Sequence, residues 1–381
     1  IYSQSLENFI IDLSSYIFIL IILFLLFLSN YINKKLFIFF SLYSATPFFF
    51  NDFLFSSIDM WDQYTNTYHL IDFRHSLFAN NYFENYFDPD RRDEIKLILG
   101  SHFYGIAPFI YIKSINSIAF INKLLLCLTS IYLLRKKYIS KSHLFFLLLY
   151  PSSLIYSSLS LKELFLAISC VWIFILLYEK KYLFSCLLLL GCFLIRPLFY
   201  IFVVFFVLYF FISLRLIKKK YLNFIIFNFL ILTFAIFFIQ DIIDQFNWYI
   251  KTYNQEDAGW GSFLNEENLS YINLSINSVM ANLKIIIDKL TLNWPVPTKY
   301  KLLFIIENMI IFYFIFKNFL KDFKKNKLQL FVSISFLISA IVCLYIIFPN
   351  LLPLHRYLYP YIFFYIFFSK FNLNENHSYN K

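Results

Sequence analysis

The chain has 381 residues, 60% of them hydrophobic and only 15% charged, with 53 Phe and 30 Tyr. A soluble globular domain cannot hide that much apolar surface, so the composition indicates a polytopic membrane protein. The net charge of +10 would suit nucleic acid, but no basic patch with interleaved stacking aromatics occurs in a polar context, and no nucleic-acid partner is expected.

The richness in Phe, Ile, Leu, Tyr, Asn and Lys, with five Gly, matches the drift of AT-rich coding sequence. Aromatic stripes are therefore read as core or lipid contact. Cys127, Cys170, Cys186, Cys192 and Cys343 fall within apolar runs, with no CxxC spacing and no neighbouring His. They read as small buried hydrophobes rather than disulfides or metal ligands.

Spanning helices need about 20 mostly apolar residues, or about 15 where flanking residues snorkel or the bilayer thins. That rule predicts passes over 10–29, 36–50, 116–134, 143–159, 161–178, 182–195, 197–214, 221–239, 302–317, 328–348 and 354–369. The expected fold is all-α, a single polytopic domain over 1–381 with about eleven passes. The first run has no basic start and no small-residue cleavage site, so it is expected to be a retained helix and not a signal peptide.

Orientation follows from the connections. Lys34-Lys35, Arg135 to Lys137 with Lys141, Lys180-Lys181, Arg215 with Lys218 to Lys220, the lysines from Lys317 to Lys327, and Lys370 with Lys381 put nineteen basic residues on one side and thirteen on the other. Lys123 lies within a pass. Of the acids, only Glu179, Asp322 and Glu375 fall on the basic side. By the positive-inside rule that side, with the C-terminus, is cytoplasmic, and the N-terminus is external. Both long loops, about 51–115 and 240–301, are then external.

The first loop carries Asp52, Asp59 and Asp62, then Arg74-His75, then the dense run Asp88-Pro89-Asp90-Arg91-Arg92-Asp93-Glu94. The apolar stretch from Phe103 to Ile112 is too short to span and reads as re-entrant or interfacial. The second loop has a Gly259-Trp260-Gly261 turn, then apolar residues from Leu269 to Leu290 spaced three and four apart. That pattern predicts an amphipathic helix on the membrane surface. Trp294-Pro295-Val296-Pro297 suits an interfacial anchor before the next pass.

Three charge islands fall at the external side. Tyr150-Pro151-Ser152-Ser153, Ser157-Ser158 and Lys162-Glu163 combine a proline, hydroxyls and an adjacent cation and anion. The pair reads either as snorkelling charges at a hairpin end or as a site where Lys162 meets an anionic substrate and Glu163 orients it or takes a proton. Arg196-Pro197 splits an apolar run of about thirty residues, since proline breaks a helix. The turn alone needs no arginine, and a guanidinium that holds two phosphate oxygens fits better. His355-Arg356 opens the last pass, either as an interfacial basic pair or as a second phosphate contact beside a group able to move protons near neutral pH. Asp59 and Asp62 read as solvated acids or as a base for a sugar hydroxyl. Arg91-Arg92 reads as a self-paired surface cluster or as a substrate contact. There is no P-loop, GxGxxG, HExxH or GxSxG, and no spacing that argues for a metal.

Tyr150-Pro151-Ser152 through Lys162-Glu163, then Arg196-Pro197, then His355-Arg356-Tyr357 before a last helix, resembles bacterial oligosaccharide repeat-unit polymerases of the O-antigen type. The likeness covers the whole chain in topology and about a dozen residues in sequence. An Arg followed eleven positions later by Gly, a pattern of some members' external loops, is absent here. The resemblance implies a glycosyltransferase of the inner membrane, without a cofactor, that joins polyprenyl-pyrophosphate-linked oligosaccharides in surface polysaccharide synthesis. It also implies contact with membrane lipid and with a chain-length regulator protein. In that setting Glu163, His355, Asp59 or Asp62 would act as the base, and Arg196, Arg356, Lys162, Arg91 and Arg92 would bind substrate. The chain is also similar in layout to C-type glycosyltransferases, which use a polyprenyl-phosphate sugar and carry an acid in the first external loop. A flippase for the same lipid-linked units is a further alternative. Long loops and charge islands on one face favour an enzyme over it.

Overall fold

The computed structural model describes residues 6–50, 60–78, 104, 114–195 and 354–369, with scattered helical residues between 226 and 317. Every regular element among them is helical, and no strand occurs among them. In chain order they are α1 (Leu6–Leu28), α2 (Lys34–Ser44), the single turn α3 (Pro47–Phe49), α4 (Met60–Phe78), α5 (Ser117–Arg135), α6 (Lys141–Leu149), α7 (Pro151–Ser158), α8 (Glu163–Tyr178), α9 (Tyr182–Ile195) and α10 (Leu354–Ser369). Among the described residues α1 and α5 are long and apolar enough to cross a membrane, and α7 with α8 would make a third span if counted as one bent element. The expected passes 197–214, 221–239, 302–317 and 328–348, and both the Phe103 to Ile112 segment and the 240–301 loop, lie outside the described residues except for isolated positions.

The chain groups into two compact units, Ile1–Val207 with Ile362–Lys381, and Leu208–Tyr361. In the second, Ile226, Phe229, Ile306, Met309 and Tyr313 are exposed, and Lys317 lies 5.5 Å from the Tyr313 ring centroid.

α1 has 23 residues, or about 35 Å at 1.5 Å per residue, against a hydrocarbon core of about 30 Å. Its exposed large side chains, among them Leu6, Ile10, Ile17, Ile21, Phe24 and Leu28, recur at helical spacing, while Ile11, Asp12, Ser15, Ile19 and Leu23 are buried. An apolar outer face over a partly polar inner one is the pattern of a lipid-facing helix. Tyr182, Leu183, Phe184, Leu187 and Leu190 repeat it on α9. Cys186 is exposed on that helix, whereas Cys127, Cys170 and Cys192 are buried, so the reading of all five cysteines as buried fails there: Cys186 lies one residue before Leu187, on the same outer face.

The expected pass 36–50 is instead the 11-residue α2 and the separate turn α3. Pro47 has no N–H to give the Tyr43 carbonyl, and the Thr46 hydroxyl supplies that donor at 2.9 Å. Pro151 likewise separates α6 from α7, and the Tyr43 hydroxyl donates to the nearby Leu148 carbonyl at 3.3 Å. The helices are joined by ring contacts, Phe39 to Phe145 at 4.6 Å and Phe48 to Phe120 at 5.2 Å, each worth about 0.5–1.5 kcal/mol beyond burial. Trp172 donates to the Thr129 hydroxyl at 3.0 Å, locking α8 to α5.

One end of the bundle is built alike three times. After α1, Tyr31 N–H bonds Leu26 C=O and Asn30 N–H bonds Phe27 C=O; the same pair of bonds closes α5 through Tyr138 and Lys137, and α8 through Lys181 and Lys180. Asn30, Lys137 and Lys180 hold the left-handed conformation this motif needs, with φ of 58°, 56° and 62°. This end gathers Lys34, Lys35, Arg135 to Lys137, Lys141, Lys180 and Lys181. The second half of α10 reaches it too: the Ile366 carbonyl lies 2.7 Å from His143 Nε2, and Phe368 is 5.3 Å from Phe174.

Candidate functional site

At the opposite end the chain breaks. α7 and α8 meet at an angle of 115° across Leu159-Ser160-Leu161-Lys162. Local chemistry ends α7, because Ser157 and Ser158 both donate their hydroxyls back to the Leu154 carbonyl, at 3.2 and 2.6 Å. These four residues of irregular backbone are buried, so protein must satisfy the polar groups they leave. Asn122 of α5 donates to the carbonyls of Leu159 (3.3 Å) and Leu161 (2.9 Å), and its own oxygen accepts from Tyr104 at 3.1 Å. Gln63 of α4 accepts from Ser160 N–H at 3.0 Å, and Asn66 donates to the Ser160 carbonyl at 3.3 Å. The Ser160 hydroxyl accepts from Ala119 N–H at 3.2 Å and donates to the Ile115 carbonyl.

α4 lies within the loop expected between residues 51 and 115. Its described buried positions, Gln63, Asn66, Thr67 and Leu70, share one helical face, and Gln63 and Asn66 are polar because they meet the Ser160 backbone instead of hydrocarbon.

Beside the break, Lys123 is fully buried. Its Nζ donates to the Ser157 hydroxyl at 2.6 Å and sits 3.7 Å from the centroid of the Tyr43 ring, whose own hydroxyl is 2.9 Å from Ser157. Among the described residues Lys123 makes no ion pair. A charged lysine at such depth costs at least about 2.5–3.5 kcal/mol, which a ring face and one hydroxyl offset only in part. The Asp12 carboxylate is buried too, accepting from Asn116 at 2.8 Å and from the Ser114 hydroxyl. It thereby ties α1 to the start of α5, where the helix dipole favours an anion.

Lys162 and Glu163 are both buried, with Glu163 in the first turn of α8. The Glu163 carboxylate is close enough to the Tyr104 hydroxyl to act on it electrostatically. Snorkelling is therefore not what holds this pair. Ser152, Ser153, Ser157 and Ser158 are buried as well, so the first charge island forms one polar cluster with Tyr43, Asn122 and Lys123.

The other expected site residues have no described side chain. Asp59, Arg91, Arg92 and Arg196 lie outside the described residues. Asp62 is on α4, and His355 and Arg356 are in the first turn of α10, but their side chains lie outside the description. Among the described residues no three His, Cys, Asp or Glu side chains are grouped to hold a metal. Asp12, Asn122 and Lys123 were missed as site residues, although each is a polar or ionisable residue inside an apolar run and the rule that picked out Lys162 and Glu163 applies to them equally. No protein-family model matches the chain, and neither curated proteins nor solved structures show a match to it.

Proposed function

We propose that the chain is a glycosyltransferase with about eleven passes that joins polyprenyl-pyrophosphate-linked oligosaccharide repeat units at the periplasmic face of a bacterial inner membrane. The observation that carries this reading is the buried polar cluster at the α7–α8 break, with Lys123 fully buried and in no ion pair among the described residues. Broken helices with buried ionisable groups at membrane depth suit sites that receive a charged, lipid-anchored substrate.

The acceptor hydroxyl attacks the anomeric carbon of the donor sugar, the bond from that carbon to the phosphate oxygen breaks, and the proton passes to a base. Glu163, His355, Asp59 and Asp62 are the candidate bases. Negative charge builds on the departing pyrophosphate, and Lys123, Lys162, Arg196 and Arg356 are the candidate cations that meet it. A donor that carries its own leaving group suits the external face, where nucleotide sugars are unavailable.

Deleting the gene should leave lipopolysaccharide, or the equivalent glycan, with a single repeat unit and no ladder on gels. Loss of one sugar or branch would instead indicate a C-type transferase, and lipid-linked units retained on the cytoplasmic leaflet would indicate a flippase. Two variants test the cations. Lys123→Met keeps the volume and removes the charge, and Arg196→Lys keeps the charge and loses the two-pronged geometry. Both should insert at near wild-type levels and fail to restore the ladder. A normal ladder from Lys123→Met would make Lys123 a brace for Ser157 and Tyr43, and one from Arg196→Lys would end its phosphate assignment.

A further inference from the structure

At the basic end the turns after α1 and α5 and the starts of α2 and α6 enclose a pocket of about 730 Å³. Tyr31, Asn33, Arg135, Lys137, Ser140 and Lys141 line it, so three cations face one space, and no acid is among its lining residues. The carbonyls that end α1 and α5 are already bonded within their own turns, which leaves the Arg135 and Lys141 side chains as donors to the pocket. Glu179, an acid of this end, is committed elsewhere. Burial alone would raise its pKa, but Lys181 at 2.6 Å and the hydroxyls of Tyr138 (2.6 Å) and Tyr132 (2.9 Å) hold it below the ordinary carboxylate range.

Arg135 stacks 3.6 Å from the Tyr31 ring centroid. Stacking uses the face of the guanidinium, and among the described residues its N–H edge donates to nothing, the arrangement that grips phosphate oxygens in pairs. The exposed rim of the pocket is cationic, whereas Leu36 and Ile131 in its lining are buried. A phosphate with an apolar body fits both parts.

We propose that this pocket binds the headgroup of an anionic phospholipid of the cytoplasmic leaflet, with Arg135 and Lys141 on the phosphate and the glycerol and upper acyl chain against Leu36 and Ile131. The positive-inside rule puts the pocket at the level of those headgroups. The inference does not depend on the glycan reading, because it uses the other end of the bundle.

The test is native mass spectrometry of the purified full chain in detergent, titrated with phosphatidylglycerol or phosphatidylcholine. Phosphatidylglycerol should bind tighter, and Arg135→Gln with Lys141→Gln should weaken it about fivefold per charge removed. Lys34→Gln with Lys35→Gln removes equal charge outside the pocket and should leave binding unchanged. Lys141 is exposed, so Lys141→Gln alone keeps the test open if the double variant does not fold. Equal weakening by the two pairs, or no preference between the lipids, overturns the proposal. So does displacement of the lipid by millimolar inorganic phosphate, which would make this a site for free phosphate.

Discussion

Lys180 closes α8 with φ at 62°, a conformation that crowds Cβ against the following carbonyl and that glycine adopts without penalty. The side chain is exposed and makes no ion pair among the described residues, so replacing it tests the backbone alone. Lys180→Gly should raise stability by about 0.5–1 kcal/mol, read as a higher melting temperature in detergent, and Lys180→Val should lower it. The opposite order would mean that the lysine side chain, not the turn geometry, sets stability here. At this same scale the site was only half legible. Lys162 and Glu163 stand out because they interrupt an apolar run next to a proline and a serine ladder. Lys123 and Asp12 interrupt runs as well, but each reads as an incidental charge until its partners are seen: Ser157 and Tyr43 lie 34 and 80 residues from Lys123, and Ser114 and Asn116 lie 102 and 104 residues from Asp12.

Among the elements, the α7–α8 break depends on α5 and α4 more than on itself. Asn122 donates to the Leu161 carbonyl and to the Leu159 carbonyl, the latter also accepting from Leu161 N–H at 2.9 Å, and leaving a buried acceptor unpaired costs about 1–3 kcal/mol. Asn122→Leu should therefore destabilise by about 1–3 kcal/mol, and Asn122→Asp should fare no better, because a carboxylate accepts from Tyr104 but cannot donate to Leu159 or Leu161. Melting temperatures equal to wild type for both would show that the break holds its shape without α5. The expected passes at 10–29, 116–134, 161–178 and 182–195 correspond to α1, α5, α8 and α9 within four residues at either end, because a span is set by the length of an apolar run and that is visible locally. α4 was not legible. A helix that buries Gln63, Asn66 and Thr67 has no apolar stripe, and its reason for existing lies in a backbone break almost a hundred residues later.

Across the whole first unit, the positive end and the polar end are the two ends of one bundle. The three turns with left-handed Asn30, Lys137 and Lys180, and the eight basic residues around them, lie at one; Asp12, Lys123, Lys162 and Glu163 lie toward the other. That separation is what a membrane imposes, since lysine and arginine are retained on the cytoplasmic side while buried polar groups are kept only where protein satisfies them. It yields a topology with a direct test. In a background freed of the exposed Cys186, Lys34→Cys and Lys180→Cys should react with a membrane-impermeant maleimide only after spheroplasts are permeabilised, and Glu7→Cys, exposed at the start of α1, should react in intact spheroplasts. Reporter fusions within 51–115 and 240–301 should be active outside and one after residue 381 inside. Labelling of Lys34→Cys or Lys180→Cys in intact spheroplasts would invert the bundle, put the α7–α8 break in the cytoplasm where nucleotide sugars are available, and remove the physical reason for a lipid-linked donor.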